Sequence, residues 1–352
     1  MISQMKLLKQ LKTTFIPEYE VPAVEHLNIN GMTGLDMYVL SYLENPTDLK
    51  KELSPLLNKY DEWIDKQRNI EVEDNLIKQR DKHIKDMEEA YGRIKEGIDL
   101  VCDNDQYFEA FKFANEIMLY QRSFSEASKH YRTTGEHLKK MELKGRWRPF
   151  QLAFILLNIK SIIDPNCEER DFVDLLWFPT GGGKTEAYLG LATFVMVLRR
   201  LRGVKVGVEG YAGTTIIMRY TLRLLTIQQF QRASALICAA EYLRIQNPKK
   251  WGEISFSIGL WVGGGTTPNQ LEGDDSAAEA LHKLRNNEKV YGGNPIQLHN
   301  CPRCGEELTS KSYEISNGVF TIHCENSNCF FIHITYQLIL LMKLFTVSVL
   351  LF

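Results

Sequence analysis

The 352-residue chain lacks most of the features that would assign its class at a glance. It has no excess of either charge. Its 42 Lys and Arg stand against 44 Asp and Glu, a net of −2, so any contact with nucleic acid must rest on local groups rather than on a global field. Met1 to Phe15 mixes lysines with leucines and has none of the uninterrupted apolar core of a secretory signal peptide. Without that signal, the seven cysteines suit a reducing cytoplasm better than a disulfide framework, and a cytoplasmic location is expected. No short-period repeat or low-complexity tract is present, which excludes solenoid and fibrous classes. What remains is an ordinary globular composition, 44% hydrophobic and 24% charged, with length for two or three domains.

Residues 34–133 read as mostly helical. Ile77, Ile84, Met87, Tyr91, Ile94, Ile98 and Val101 fall at steps of three, four or seven, giving one apolar stripe with charges between. That pattern predicts the core face of a helical bundle. Residues 133–146 (TTGEHLKKMELKGR) lose the period and gain lysines, so a boundary is expected there and residues 1–145 form a helical N-terminal domain. From Arg146 the grammar changes. A helix-like run, Phe150 to Ile163, is followed by the apolar run Val173 to Phe178 and a second helical run, Glu186 to Arg202. A strand at Thr214 to Met218 leads into a helix at Leu224 to Arg244, and a third apolar run, Ser255 to Val262, ends in Gly263-Gly264-Gly265. Strands alternating with helices predict an α/β arrangement with a parallel sheet, whose ligand site lies at the carboxyl edge of the strands.

Phe178-Pro179-Thr180-Gly181-Gly182-Gly183-Lys184-Thr185 sits between an expected strand and an expected helix, the layout of a phosphate-binding loop. Backbone N–H groups of Thr180, Gly181, Gly182 and Gly183 would cradle phosphate oxygens, and Lys184 would reach the β- and γ-phosphates. Thr185 would hold Mg²⁺, with Glu186 in the first helical turn beside it. The helix start adds its dipole to the anion site. Phe178 stands where the generic pattern has glycine, and the flanking strand and helix supply the missing context. Lys184 and Thr185 are the expected catalytic pair.

Four of the cysteines form a second cluster. Cys301-Pro-Arg-Cys304 and Cys324-x₄-Cys329 are separated by 19 residues that include the strand-like Val319 to Ile322. Two such pairs on turns can close a tetrahedral Zn²⁺ site of zinc-ribbon type over residues 299–331, with four free thiols as the bland alternative. The second pair has four intervening residues rather than two, and His323 is an alternative fourth ligand. Four protein ligands leave no open position for water, so a structural role is expected. Cys102, Cys167 and Cys238 stand singly and read as small buried apolar residues.

Pro179 to Thr185 resembles motif I of superfamily 2 helicases. Arg146-Trp147-Arg148-Pro149-Phe150-Gln151 is similar to the aromatic-plus-glutamine element that reads adenine in such enzymes, which implies that Gln151 holds the base, an amide being able to donate and accept at once. Arg219-Tyr220-Thr221-Leu222-Arg223 stands where these helicases place motif Ia, and Arg219, Thr221 and Arg223 would bind consecutive phosphates of a single strand without reading bases. Gln228, Gln229 and Arg232 continue that segment, and the glycines at 263–265 occupy the place of motif Ib. The wider wording, Trp177 to Gly190, Arg219 to Arg232 and Gly259 to Gly263, resembles the helicase subunit of DISARM phage-defence systems over roughly residues 146–331. The resemblance implies a RecA-like ATP-binding lobe over 146–298 with a zinc-ribbon insertion. It further implies ATP and Mg²⁺ as cofactors beside Zn²⁺, DNA and other defence-system subunits as partners, and ATP-dependent DNA helicase or translocase activity.

One expected part is missing. After Lys184 no apolar strand ends in Asp-Glu, the pair that would organise Mg²⁺ and the attacking water; Asp274-Asp275 follow Gly273 in a polar loop. The chain also has room for one lobe only, so it is expected to bind ATP and to be catalytically incomplete alone. The rival reading is a non-catalytic DNA- or protein-binding module built on the zinc ribbon and basic loops; a P-loop kinase or other transferase is a third. Residues 332–352 are almost entirely apolar, long enough for a membrane helix interrupted only by Lys343. That helix would start three residues after Cys329, an awkward junction. Ile339-Leu340-Leu341-Met342-Lys343 can be encoded ATA TTG TTG ATG AAA, and two bases on the same letters read Ile-Val-Asp-Glu. The tail is therefore expected to be out of frame, and no membrane partner is expected.

Overall fold

The computed structural model describes residues 31–178, 181–205, 208–211, 213–220, 223–262, 265–316, 318–329 and 349–351. Thr180, Thr221, Gly263, Gly264 and all but the end of the apolar tail lie outside the described residues. Helices α1 (Met37–Ser41), α2 (Pro46–Arg68), α3 (Ile77–Cys102) and α4 (Asp105–Thr134) occupy the region expected to be helical. Local signals fix their ends. Asn45 caps α2, its side chain accepting from the Asp48 N–H at 3.0 Å with Pro46 in the first turn. Asn104 accepts from the N–H groups of Gln106 and Tyr107 at the head of α4. The same helix stops at Gly135, whose φ of 75° lets its N–H return to the Tyr131 carbonyl. On α3 the expected stripe buries Ile84, Ile94, Ile98 and Val101, half-buries Met87 and Tyr91, and leaves Ile77 exposed at the helix start.

Beyond residue 146 come α5 (Pro149–Leu157), α6 (Ile159–Ile163), α7 (Lys184–Leu201), α8 (Arg223–Arg244), α9 (Pro248–Trp251) and α10 (Ala277–Arg285). Strands β1 (Val204–Lys205) and β2 (Val208–Glu209) form a short antiparallel pair. Strands β3 (Ile216–Met218) and β4 (Ile258–Leu260) occupy the expected second and third runs; β5 (Tyr313–Ser316) and β6 (Val319–Ile322) form an antiparallel hairpin. The end of the tail supplies β7 (Val349–Leu351), which lies between β3 and β4 and runs parallel to both, Leu350 standing opposite Ile217 and Gly259. No described helix is long and apolar enough to cross a membrane.

One expected strand is not formed. Residues 173–178 carry no strand assignment and pair with no neighbour among the described residues. Val173, Leu175 and Trp177 are 95%, 81% and 78% exposed. Side chains hold the segment instead: both Arg93 terminal nitrogens reach the Asp174 carboxylate at 2.8 Å, and Phe178 stacks on Phe150 with centroids 3.8 Å apart. The hydrogen bonds that Arg93 donates to Asp174, with the charges of Asp174 and Glu169, raise its already high pKa against the opposing effect of burial, so the bridge stays charged. The apolar run reflects strand propensity, which is realised only beside a neighbouring ladder.

A single apolar cluster runs from Met32 to Cys329. Helix α4 lies at its centre and packs on α1, α3, α7 and α8. The change of pattern near residue 146 thus marks a change in sequence character, while both sides share one core. Trp147 ties them: it is 2% exposed, its indole N–H donates to Asn115 Oδ1 of α4 at 2.7 Å, and its backbone N–H donates to the Leu35 carbonyl at 2.8 Å.

Two glycines of α3 separate helix propensity from packing. Gly92 has open space where a Cβ would stand, whereas a Cβ on Gly97 would lie 2.0 Å from the Leu156 carbonyl oxygen of α5. Gly92→Ala is expected to raise the unfolding free energy by about 0.5–1 kcal/mol. Gly97→Ala is expected to lower it by about 1–3 kcal/mol, because the clash outweighs the propensity gain. Urea unfolding of the two variants checks this; equal signs would refute the close α3–α5 approach.

Candidate functional site

Helix α7 begins at Lys184, directly after a turn in which Gly181 and Gly183 have φ of 81° and 91°, a region that favours glycine. Its first N–H groups have no partner within the helix and form the positive end of the helix dipole. The Lys184 ammonium donates to the Phe178 carbonyl at 2.6 Å, so the side chain spans the loop. Over it opens a cavity of about 490 Å³, lined by Gly181, Gly183, Lys184, Thr185 and Glu186 together with Gln151, Arg122, Arg146, Arg148 and Arg232. Five cationic side chains face one carboxylate in that lining, a distribution suited to a polyanion. The carboxylate is Glu186, and it is ion-paired with Arg232 of α8.

Gln151 is 4% exposed and its amide is engaged at both ends. Its Oε1 accepts from the Arg148 N–H at 2.8 Å, and its Nε2 donates to the Gly183 carbonyl at 2.8 Å. The Arg148 guanidinium donates to the Gly182 carbonyl. The structure therefore brings Gln151 and residues 181–186 around one cavity, with Gln151 against the loop backbone. Arg122, Arg146 and Arg148 are the additions that sequence reasoning missed as site residues. Arg148 lay in plain view inside the Arg-Trp-Arg-Pro-Phe-Gln element, but Arg122, on α4, carries no motif signal at all.

The segment expected to meet nucleic acid is only partly described. Arg219 is exposed just beyond β3, Arg223 is the first residue of α8, and Thr221 lies outside the described residues. On α8, Gln228 is exposed, while Arg232 faces the loop through Glu186.

The second site is the cysteine cluster beside the β5–β6 hairpin. The sulfur atoms of Cys301, Cys304, Cys324 and Cys329 all lie within 4.8 Å of one another. Cys301 and Cys329 sulfurs are 3.8 Å apart, and those of Cys304 and Cys324 are 3.6 Å apart. Tetrahedral zinc with Zn–S of about 2.3 Å requires sulfurs about 3.8 Å apart, so the four side chains fit this metal. His323 stands outside the group, its backbone N–H bonded to the Ser312 carbonyl. The wide Cys324-x₄-Cys329 spacing is accommodated by a turn, the Cys329 N–H donating to the Asn326 carbonyl at 2.8 Å. Gly305, φ 86°, turns the first pair, its N–H donating to the Cys301 carbonyl. Of the single cysteines, Cys167 and Cys238 are buried and Cys102 is half-buried; burial raises the Cys102 thiol to about 11, which keeps it protonated at neutral pH.

This knuckle sits on α4 and α8. A Cβ on Gly305 would lie 2.6 Å from the Ser128 carbonyl, the Tyr131 hydroxyl donates to Glu306 at 2.8 Å, and the Arg303 guanidinium lies over the rings of Phe124 and Tyr242.

No family model matches the chain. The DISARM protein DrmA of Bacillus paralicheniformis is 37% identical to it over 339 residues, which cover 92% of this chain. The chain is a DrmA relative. A match that wide takes in the glycine loop at 181–186 wherever it begins, since too little sequence is left over at either end to exclude it. The chain spans 30% of the length of that DrmA.

The sulfur geometry predicts about one zinc ion per chain, measured by elemental analysis of protein purified without chelators. Cys301→Ser should lose the metal and speed hydrogen exchange over residues 299–329 and, through Gly305 and Tyr131, over the end of α4. Metal-free wild-type protein with unchanged exchange would refute the assignment.

Proposed function

We propose that this chain is the nucleotide-binding part of an ATP-dependent DNA helicase or translocase subunit in a DISARM-type antiviral system. The observation that carries the reading is the glycine turn at the head of α7 with Lys184 and Thr185, facing a cavity whose lining carries five cations and one acid. In this reading the N–H groups of Gly181 to Lys184 would hold the ATP phosphates, Lys184 would leave the Phe178 carbonyl for the β/γ charge, and Thr185 would offer its hydroxyl to Mg²⁺. Mg²⁺ held by Thr185 would supply positive charge that offsets the phosphates. The described β3–β7–β4 sheet is then part of a RecA-like lobe, and the cysteine cluster is a structural zinc ribbon inserted in it.

Relation to DrmA supports the defence setting, and with it other defence-system subunits as partners. Resemblance to helicase motifs I and Ia supports DNA as the polymer, contacted through its backbone by Arg219, Thr221 and Arg223. The chain holds no Asp-Glu pair after Lys184, so it should bind ATP and turn it over slowly. That same absence favours the second reading, a non-catalytic DNA- or protein-binding module.

Calorimetry with Mg-ATP separates the two. Binding by the wild type and a loss of at least about tenfold in Lys184→Ala are expected, since the phosphates lose their main side-chain counter-ion. Identical affinity in wild type and Lys184→Ala would remove the nucleotide assignment and leave the binding module.

A further inference from the structure

The phosphate loop is held from behind by its carbonyl groups. Gln151 Nε2 takes the Gly183 carbonyl and the Arg148 guanidinium takes the Gly182 carbonyl, both from the head of α5. The contact exists because residue 183 is glycine: a Cβ there would lie 2.6 Å from Gln151 Nε2. A trans peptide is planar, so each carbonyl points opposite to the N–H of the following residue. Drawing the Gly182 and Gly183 carbonyls towards α5 therefore turns the N–H groups of Gly183 and Lys184 the other way. Those are the donors that a phosphate on this turn would use.

Resting on the nucleotide reading above, we propose that Gln151 and Arg148 are positioning residues that pre-aim the loop N–H groups at phosphate, and that Gln151 reads no base. The amide that could recognise adenine is 4% exposed and spans two backbone groups, so facing a base would mean releasing the loop. Donors already fixed in direction need no reorganisation when the anion arrives, which is where the affinity comes from. The nucleotide selectivity of this site then owes nothing to the glutamine. A base-reading glutamine acts on ATP alone; a loop-aiming glutamine acts on every triphosphate equally.

Gln151→Glu distinguishes these roles. It keeps an acceptor for the Arg148 N–H, and so keeps the cap of α5, but sets an acceptor against the Gly183 carbonyl. Gln151→Ala removes both bonds and serves as the second variant. Affinities for Mg-ATP, Mg-GTP and Mg-tripolyphosphate are measured for both and for wild type, together with unfolding midpoints without ligand. The expected result is that both variants still unfold cooperatively, at midpoints below wild type, and that all three ligands are weakened by the same factor of about tenfold, the scale of one buried hydrogen bond. Loss of Mg-ATP affinity with tripolyphosphate unchanged would make Gln151 a base reader and overturn the proposal, as would unchanged affinity for all three. Wild-type protein that binds none of the three would overturn the nucleotide reading itself, and this proposal with it.

Discussion

The burial of α4 on nearly every face is the constraint from which the rest of the molecule follows. Between Phe108 and Phe124 it buries Ala110, Phe111, Phe113, Ala114, Ile117, Met118 and Leu119, a wide apolar arc that leaves one face to the half-buried Glu109, Lys112 and Glu116. A helix with so wide an apolar arc is stable only when neighbours cover that arc. Here α1, α3, α7 and α8 do so. Its most deeply placed amide, Asn115, is satisfied by the Phe111 carbonyl and the Trp147 indole, so the core carries no unpaired polar cost there. The head of α7 is where the glycine turn lies, and the far end of α4 is where the cysteine knuckle rests. Both candidate sites are thus referenced to one rod, and the distance between them is set by helix geometry rather than by loops.

Helical periodicity was readable because it depends on residues three and four apart along one chain. The α3 stripe, α7 and α8 all follow from such local order. The four cysteines were readable for a related reason, since ligand chemistry restricts which residues can meet, and the x₄ gap needed only one additional turn at Asn326. Residues 173–178 show the limit. An apolar run states that a segment can be a strand, and says nothing about whether a neighbouring ladder stands beside it. The apolar end of the tail shows the converse. Val349–Leu351 has the composition of many environments, and only the register against Ile217 and Gly259 makes it the central strand.

Gln151 illustrates a subtler gap. Its residue type fits a base, a backbone turn or a helix cap equally well, because an amide donates and accepts in all three. The spacing to Arg148 does encode the cap, Gln151 being the third residue after the N-cap of α5. The contact to Gly183, 32 positions away, depends on how α5 meets α7 and could not be read from either segment. The same holds for Arg122 on α4, which reaches the cavity only through tertiary packing.

The burial of α4 also bears on how the chain is made. On the ribosome α4 is complete at Thr134, while α7 ends at Leu201 and α8 at Arg244, about a hundred residues later. At roughly 5–20 residues per second, this largely apolar helix waits some 5–20 s for its last cover. A nascent segment of that kind invites capture by neighbouring chains or by holdase chaperones. Synthesis of this protein should therefore be more sensitive to temperature and to expression rate than the finished fold is.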